Sequence, residues 1–266
     1  MADAPIIYTK ELLIEKFKEI AAVGWIANAR QGNQGGIGNT LEDLLGIKEN
    51  NLPIPNAAEW ELKTQALHTT SLTTLFHLEP SPRALKWVSQ ILLPKYGWAH
   101  QEDGKKYPAG ELSFRQTING QGRTDRGFMV IVDRKEQKVM ISFDASKVDE
   151  RHRQWLRSVE KRAGLDELDP QPYWGFDDLK HKAGTKLPNA FYVQAAVKRE
   201  GDRTLFRYEK VTMLQQFSFG GFLRALATGK VLVDFDARSG HNHGTKFRLR
   251  QDCLPMLYRD QNVVVQ

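Results

Sequence analysis

The residues best suited to chemistry stand together in Leu52-Pro-Ile-Pro-Asn-Ala-Ala-Glu-Trp-Glu-Leu-Lys-Thr64, whose kernel is Pro55-Asn56, four residues, then Glu61-Leu62-Lys63. Side chains alternate faces along a strand, so Glu61 and Lys63 point one way while Trp60 and Leu62 point the other. The apolar pair can bury itself, which leaves a carboxylate and an ammonium about 7 Å apart along the backbone. With a further oxygen ligand from the preceding turn, this set suits a divalent cation and a phosphate under attack. The carboxylate would hold Mg²⁺ through oxygen. The ammonium would position water and neutralise developing charge. A half-buried strand with two solvated charges is the plainer reading, because alternation alone often produces Glu-x-Lys.

A second concentration of chemistry lies far downstream, in Asp234-Phe-Asp-Ala-Arg-Ser-Gly-His-Asn-His-Gly-Thr-Lys-Phe-Arg-Leu-Arg250. It reads as a short strand-loop-strand carrying acceptors, donors and bidentate groups. Arg238 and Arg248 can address guanine O6 and N7, Asp236 can accept from cytosine N4, and His241 or His243 can contact base edges or phosphate. Phe247 alternates with Lys246 and Arg248, so one face can pack while the other meets DNA. A zinc site is the rival, but no cysteine or third histidine stands near His241 and His243. The string His-Asn-His also matches the name of the HNH nucleases, whose residues are spread over a longer ββα unit. A purely structural polar hairpin is the remaining alternative.

The elements that must position these groups are readable in outline. Thr9 can cap a helix in which Leu12, Leu13, Phe17, Ile20 and Ala21 recur at helical spacing. The glycine-rich segment Gln31–Gly38 lacks the Gly-Lys-Ser/Thr ending of a nucleotide loop and reads instead as a mobile loop near a phosphate backbone. Thr40 then begins a capped helix, Thr-Leu-Glu-Asp, closed by Gly46. After the central strand, Ser71–His77 is expected to pair beside it, and Pro80-Ser-Pro82 to start a helix running through Trp87, Ile91 and Leu92 to Pro94. Leu112–Ile118, Gly127–Val132 and Val139–Phe143 read as strands, the last two joined by the charged turn Asp133–Lys138. Val148–Arg162 is an amphipathic basic helix, and Gly164–Lys186 is the best candidate for a junction between lobes. Strands near Ala190–Val197 and Thr204–Val211, a helix near Gln215–Ala227 and a strand Lys230–Phe235 complete the pattern. Irregular alternation of strands and helices favours a mixed α/β sheet over a doubly wound one.

Composition bounds the class. With 266 residues, 41% hydrophobic and 26% charged, the chain has the make-up of a soluble protein able to bury a full core. A net charge of +6 and a pI near 9.3 favour a polyanionic partner. The single cysteine, Cys253, excludes an internal disulfide framework and fits a reducing compartment. No apolar run approaches a membrane span, and Met-Ala-Asp-Ala-Pro lacks a signal-peptide pattern, so a cytoplasmic location is expected.

Four ordered blocks carry a resemblance. They are Gly38-Asn-Thr-Leu-Glu-Asp-Leu-Leu-Gly46, Pro55-Asn56…Glu61-Leu-Lys-Thr64, Thr74-Leu-Phe-His77, and Asp234-Phe-Asp-Ala-Arg238 with His241-Asn-His-Gly-Thr-Lys-Phe-Arg248. Together they resemble the MvaI/BcnI group of restriction endonucleases, relatives of the MutH nicking enzyme among the PD-(D/E)xK nucleases. The resemblance implies an α/β (mixed α+β) fold with a central mixed sheet flanked by helices. It implies a catalytic and a recognition lobe around a DNA cleft, and the junction expected within Gly164–Lys186 sets them at residues 1–170 and 171–266. It implies a type II restriction endonuclease that acts on double-stranded DNA as a Mg²⁺-dependent monomer, nicking one strand at a time at a CC-N-GG type site. A cognate DNA methyltransferase would be its functional companion. Asn56, Glu61 and the carbonyl of Leu62 would surround the metal, Lys63 would face the water, and Glu42 would stand near the active centre. His77 would contact the phosphate there, or else simply be satisfied at a strand end.

The sequence departs from the family pattern at one place. An aspartate is expected after the proline, and Asn56 stands there. An amide oxygen still ligates a cation but brings no charge, and hard cations are held chiefly by anionic oxygens. Either Asn56 is an inactivating change, or Glu59 or Glu42 supplies the missing carboxylate. A MutH-like repair nicking enzyme and a DNA-binding protein that no longer cleaves are the competing functional readings.

Overall fold

Thr9 starts the first helix as its position predicts. Its hydroxyl accepts from the Leu12 amide at 3.2 Å, and α1 (Lys10–Val23) buries Leu13, Phe17 and Ile20 along one stripe. The structure, a computed structural model, describes residues 8–30, 36–47 and 59–266. The strands in chain order are β1 (Ile26–Ala27), β2 (Trp60–Ala66), β3 (Thr73–His77), β4 (Trp98–Ala99), β5 (Leu112–Ile118), β6 (Arg126–Asp133) and β7 (Lys138–Val148). They continue with β8 (Tyr173–Gly175), β9 (Asn189–Glu200), β10 (Arg203–Phe217), β11 (Val231–Arg238), β12 (His241–Asn242), β13 (Lys246–Leu249) and β14 (Tyr258–Val265). The other α-helices are α2 (Gly36–Leu44), α3 (Leu93–Tyr96), α4 (Arg153–Ala163), α5 (Phe176–Lys186) and α6 (Phe219–Ala227). Among the described residues, no helix is long and apolar enough to cross a membrane.

The chain forms two compact units and passes between them at 73/74, 182/183, 221/222 and 249/250. A single boundary at 170/171 coincides with none of these passages. The reason is topological. β2 pairs in parallel with β9, and a parallel pair needs a long crossover. Most of the second unit is inserted in that crossover.

The first unit holds a mixed sheet in the order β1-β10-β9-β2, with β14 also on β10. Only the β2–β9 pair is parallel; β10 pairs antiparallel with β1, β9 and β14. Trp60 and Leu62 of β2 join Phe17, Phe191, Val193, Phe206 and Tyr208 in one apolar cluster against α1. The Trp60 and Phe17 rings lie 4.6 and 5.0 Å from that of Phe191. Each large side chain buried there contributes about 1.5–3 kcal/mol, which fixes β2 in register and forces Glu61 and Lys63 to the opposite face.

The second unit holds a sheet ordered β3-β13-β11-β5-β4, with β12 on β11, and a three-stranded sheet β6-β7-β8. Its aromatic core gathers Tyr96, Phe114, Phe128, Phe143, Trp155 and Phe235.

Several expected elements shift. β3 pairs with β13 and not with β2, so Ser71–His77 does not extend the central strand's sheet. α2 begins at Gly36, which puts Thr40 inside the helix. Its buried hydroxyl accepts from the Ala29 amide at 3.3 Å instead of capping, and lies 3.3 Å from Asn28 Oδ1. The stretch after Pro82 breaks into a 3₁₀ turn (Arg83–Leu85), a π turn (Val88–Leu92) and α3, which contains Pro94 in its first turn. β7 runs on to Val148, so α4 starts at Arg153. β10 likewise runs to Phe217, and Ser218 then caps α6 by accepting from the Gly221 amide at 3.1 Å.

Candidate functional site

On the polar face of β2, Glu61 is 2% exposed and meets two ammonium groups. Lys63 Nζ donates to Oε1 at 2.7 Å, and Lys186 Nζ lies 3.1 Å from Oε2. The first contact is a well-formed hydrogen bond. The second is an ion pair without hydrogen-bond alignment, so Oε2 is the less satisfied oxygen. A carboxylate buried this deeply costs several kcal/mol in lost hydration, and the two cations offset it. The cluster carries a net charge of about +1, the sign that a phosphate oxyanion requires.

Lys186 was not foreseen from the motif. It ends α5, where a cation is favoured by the helix dipole, and it lies just before β9, whose Ala190 stands beside Glu61 in the parallel ladder. Only that pairing brings it to Glu61. On the same face Lys63 stands beside Tyr192, and Gln65 beside Gln194. The Tyr192 hydroxyl donates to Gln65 Oε1, and Gln194 Nε2 donates to Asp252 Oδ1 at 2.8 Å. Burial, reinforced by the Asp252 charge, pushes the Tyr192 hydroxyl up, so it stays a donor. The Tyr258 hydroxyl is buried with no hydrogen-bond partner among the described residues, and burial and then the Glu61 charge push it up as well. A protonated donor with unused capacity therefore sits within electrostatic reach of Glu61.

Glu61 is a hard, anionic, nearly dry oxygen donor with one under-satisfied oxygen, which fits an oxygen-seeking divalent cation. Among the described residues no three His, Cys, Asp or Glu side chains gather to complete such a site. Asn56, the expected second ligand, lies outside the described residues. Leu62, whose carbonyl is the expected third, is buried beside Phe191 on β9. Glu59 is exposed in the turn before β2. Glu42 is half-buried on α2, a helix that packs on β2. That approach depends on Gly38, where an added Cβ would come within 3.1 Å of Thr64 Oγ1. Of the glycine-rich segment, residues 31–35 lie outside the described residues.

His77 ends β3 on the second unit's sheet, exposed, near Gly244, where a Cβ would meet its ring at 3.4 Å. The expectation that its strand neighbours β2 is therefore corrected: His77 belongs with the His241–His243 segment.

The downstream cluster forms one face of β5, β11 and β13. The ladder sets Thr117 opposite Asp234, Arg115 opposite Asp236, and Ser113 opposite Arg238, with Lys246 and Arg248 on the far side of β11. Phe114, Phe235 and Phe247 fill the other face, as the alternation of Lys246, Phe247 and Arg248 predicts. Asp234 accepts from Thr117 Oγ1 at 2.6 Å and from Arg248 Nη1 at 3.2 Å. Arg115 Nε lies 2.8 Å from Asp236 Oδ1, and Lys246 Nζ is 3.4 Å from Oδ2. Arg238 Nη1 donates to Glu111 Oε1 at 3.1 Å and to the Ser239 carbonyl at 3.2 Å, with its guanidinium 4.6 Å from the Tyr107 ring centre. The exposed His241 and His243 rings meet edge-on at 4.2 Å. Arg115, Thr117, Glu111 and Tyr107 escaped the sequence reading. The alternation of Ser113, Arg115 and Thr117 with Phe114 and Ile118 marked a polar strand face, but not its neighbour.

One consequence bears on stability. Arg238→Ala leaves buried Glu111 without its cation, so a loss of about 1–3 kcal/mol is expected in urea unfolding. Arg238→Lys should recover part of it. An unchanged midpoint for Arg238→Ala would mean that the Glu111 pair contributes nothing.

A model of the MvaI/BcnI restriction endonuclease family matches residues 14–258. Among solved structures, the chain is similar to a complex of restriction endonuclease MvaI with its cognate DNA substrate. Identity is 25%, coverage 97% of this chain and 100% of that chain, and the TM-score 0.75. It is also similar in fold to restriction endonuclease MvaI in the absence of DNA, at 24% identity, full coverage of both chains and a TM-score of 0.54. No curated protein sequence matches it.

Proposed function

Since the chain belongs to the MvaI/BcnI restriction endonuclease family, we propose that it is a type II enzyme hydrolysing DNA phosphodiesters with Mg²⁺ at a short GC-rich site of the CC-N-GG type. It acts as a monomer on one strand at a time, in the cytoplasm, alongside a cognate DNA methyltransferase. The observation that carries this reading is the buried Glu61 carboxylate between Lys63 and Lys186. When bound, the cation supplies Lewis acidity at the scissile phosphate. Glu61 would hold it, with the Asn56 amide and the Leu62 carbonyl as further oxygen donors. Lys63 orients the attacking water and, with Lys186, offsets the charge that builds on the phosphate oxygens. Glu42 on α2 remains a candidate for a contact around the scissile phosphate, and His77 for a DNA contact beside the His241–His243 segment. Asp236, Arg238, His241, His243, Lys246 and Arg248 read bases and phosphates on the second unit's sheet.

The direct test is a plasmid digest with Mg²⁺ and no other protein, with an EDTA control, followed by end mapping. Discrete fragments with ends at one short sequence are expected. Protection of one sequence without cutting would favour the second reading, a site-specific DNA-binding protein, which Asn56 specifically supports. Cutting that needs an added partner protein would favour a MutH-like repair enzyme.

The charge balance adds a prediction. With a net charge of +6, binding should weaken steeply with salt, log K falling against log salt by about 0.9 for each phosphate neutralised. A flat response would make the positive charge a solvated surface only.

A further inference from the structure

Three acid–arginine doublets cross the face of β5, β11 and β13, and their burial separates holders from readers. In two of them the acid is shut away. Side-chain exposure is 6% for Glu111 and 11% for Asp234, against 29% for Arg238 and 30% for Arg248. An acid placed that deeply fixes its arginine and offers little to a ligand. The third doublet, at the middle of the β11 face, is open on both sides: 28% for Asp236 and 52% for Arg115.

Arg115 stands directly opposite Asp236 across the β5–β11 ladder, and its Nε lies 2.8 Å from Oδ1. The contact is an ion pair without hydrogen-bond alignment, so the guanidinium fork keeps its N–H donors available to a ligand. Lys246 Nζ donates to the other carboxylate oxygen at 3.4 Å, so the carboxylate is held from both sides. A C·G pair presents an amino donor on cytosine beside two acceptors, O6 and N7, on guanine. A carboxylate flanked by an arginine fork is the complement of that edge.

We infer that Arg115 and Asp236 jointly read one C·G pair in the major groove, with Asp236 accepting from cytosine N4 and Arg115 donating to the guanine acceptors. Arg115 is then a specificity-determining residue. The inference rests on the DNA-cleaving function proposed above. It adds to that reading a residue outside the downstream motif, supplied by a strand of the same sheet.

The test is selection from a library of duplexes randomised over about ten base pairs, in EDTA, with sequencing of the bound fraction. The full chain is compared with Arg115→Ala, Arg115→Lys and Arg238→Lys, with the two Arg115 variants checked for an unchanged unfolding midpoint and Arg238→Lys for a fully folded population at the assay temperature. Arg115→Lys keeps a cation beside Asp236 and loses only the fork. Both Arg115 variants should lose preference at one C·G position by about tenfold or more, with the other positions kept. Arg238→Lys should relax a different position. Base preferences unchanged at every position, or affinity lost equally on all sequences, would overturn the inference while leaving the enzyme reading standing. If the unmodified chain selects no sequence at all, the proposed function fails and the inference with it.

Discussion

Asn56→Asp is expected to raise Mg²⁺-dependent DNA cleavage by about two orders of magnitude or more, with little change in sequence-specific binding. The charge count around Glu61 supports a large effect. One carboxylate faces two ammonium groups, so the cluster is already positive before a cation arrives. With position 56 as the proposed second ligand, a divalent cation held by a neutral amide would meet that excess unrelieved, whereas an aspartate would cancel one unit of it. Two orders of magnitude correspond to about 2.7 kcal/mol, within what one added anionic ligand supplies to a hard cation in a dry site. The measurement is the nicking rate of supercoiled plasmid across a Mg²⁺ series, for the chain with Asn56 and for Asn56→Asp. The aspartate form should be faster and should saturate at lower Mg²⁺. Equal rates would remove position 56 from the ligand set and turn attention to Glu59 on the turn before β2, or to Glu42 on α2.

What the sequence made legible was local. Thr9 capped its helix because the signal spans three residues, and the Trp60-Glu61-Leu62-Lys63 alternation held because it needs only a buried face on one side. The resemblance reached further, identifying the family and the mixed α/β fold from four blocks in order. Illegible were the relations that depend on which strands meet. Lys186 reaches Glu61 only because β9 lies parallel to β2. Arg115 reaches Asp236 only through the β5–β11 register. His77 was read as a neighbour of β2 because β3 follows it in the chain, but β13, far downstream, is the strand it joins. Thr40 misled for a related reason. Its hydroxyl serves the chain at Asn28 and Ala29, a tertiary demand that no capping pattern records. The four passages between the compact units were illegible for the same reason, since a crossover that encloses another unit leaves little compositional trace.

Lys63→Ala, introduced into the Asn56→Asp background, is expected to abolish cleavage, a loss of about 10³-fold or more, while leaving site preference intact. Lys63 holds Glu61 Oε1 at 2.7 Å, so its removal takes away the partner that fixes the carboxylate together with the group proposed to orient water. Lys186→Ala should cost less, about 10²-fold, because its contact to Oε2 at 3.1 Å lacks hydrogen-bond alignment and supplies charge more than geometry. Folding behaves differently. Either single variant leaves Glu61 one cation, but Lys63→Ala with Lys186→Ala leaves a buried charge uncompensated, and a loss of about 3–5 kcal/mol is expected. Single-turnover cleavage, urea unfolding, and equilibrium affinities on specific and scrambled duplexes at one salt concentration separate these effects. In the proposed role Lys63 acts on the reacting phosphate, so its removal should change the ratio of specific to scrambled affinity far less than Arg→Ala at Arg238 or Arg248, which should cost about 1–3 kcal/mol on the specific site alone. If Lys63→Ala cuts at the parental rate, the β2 carboxylate–ammonium pair is a structural feature of the sheet, and the hydrolytic centre lies elsewhere in the chain.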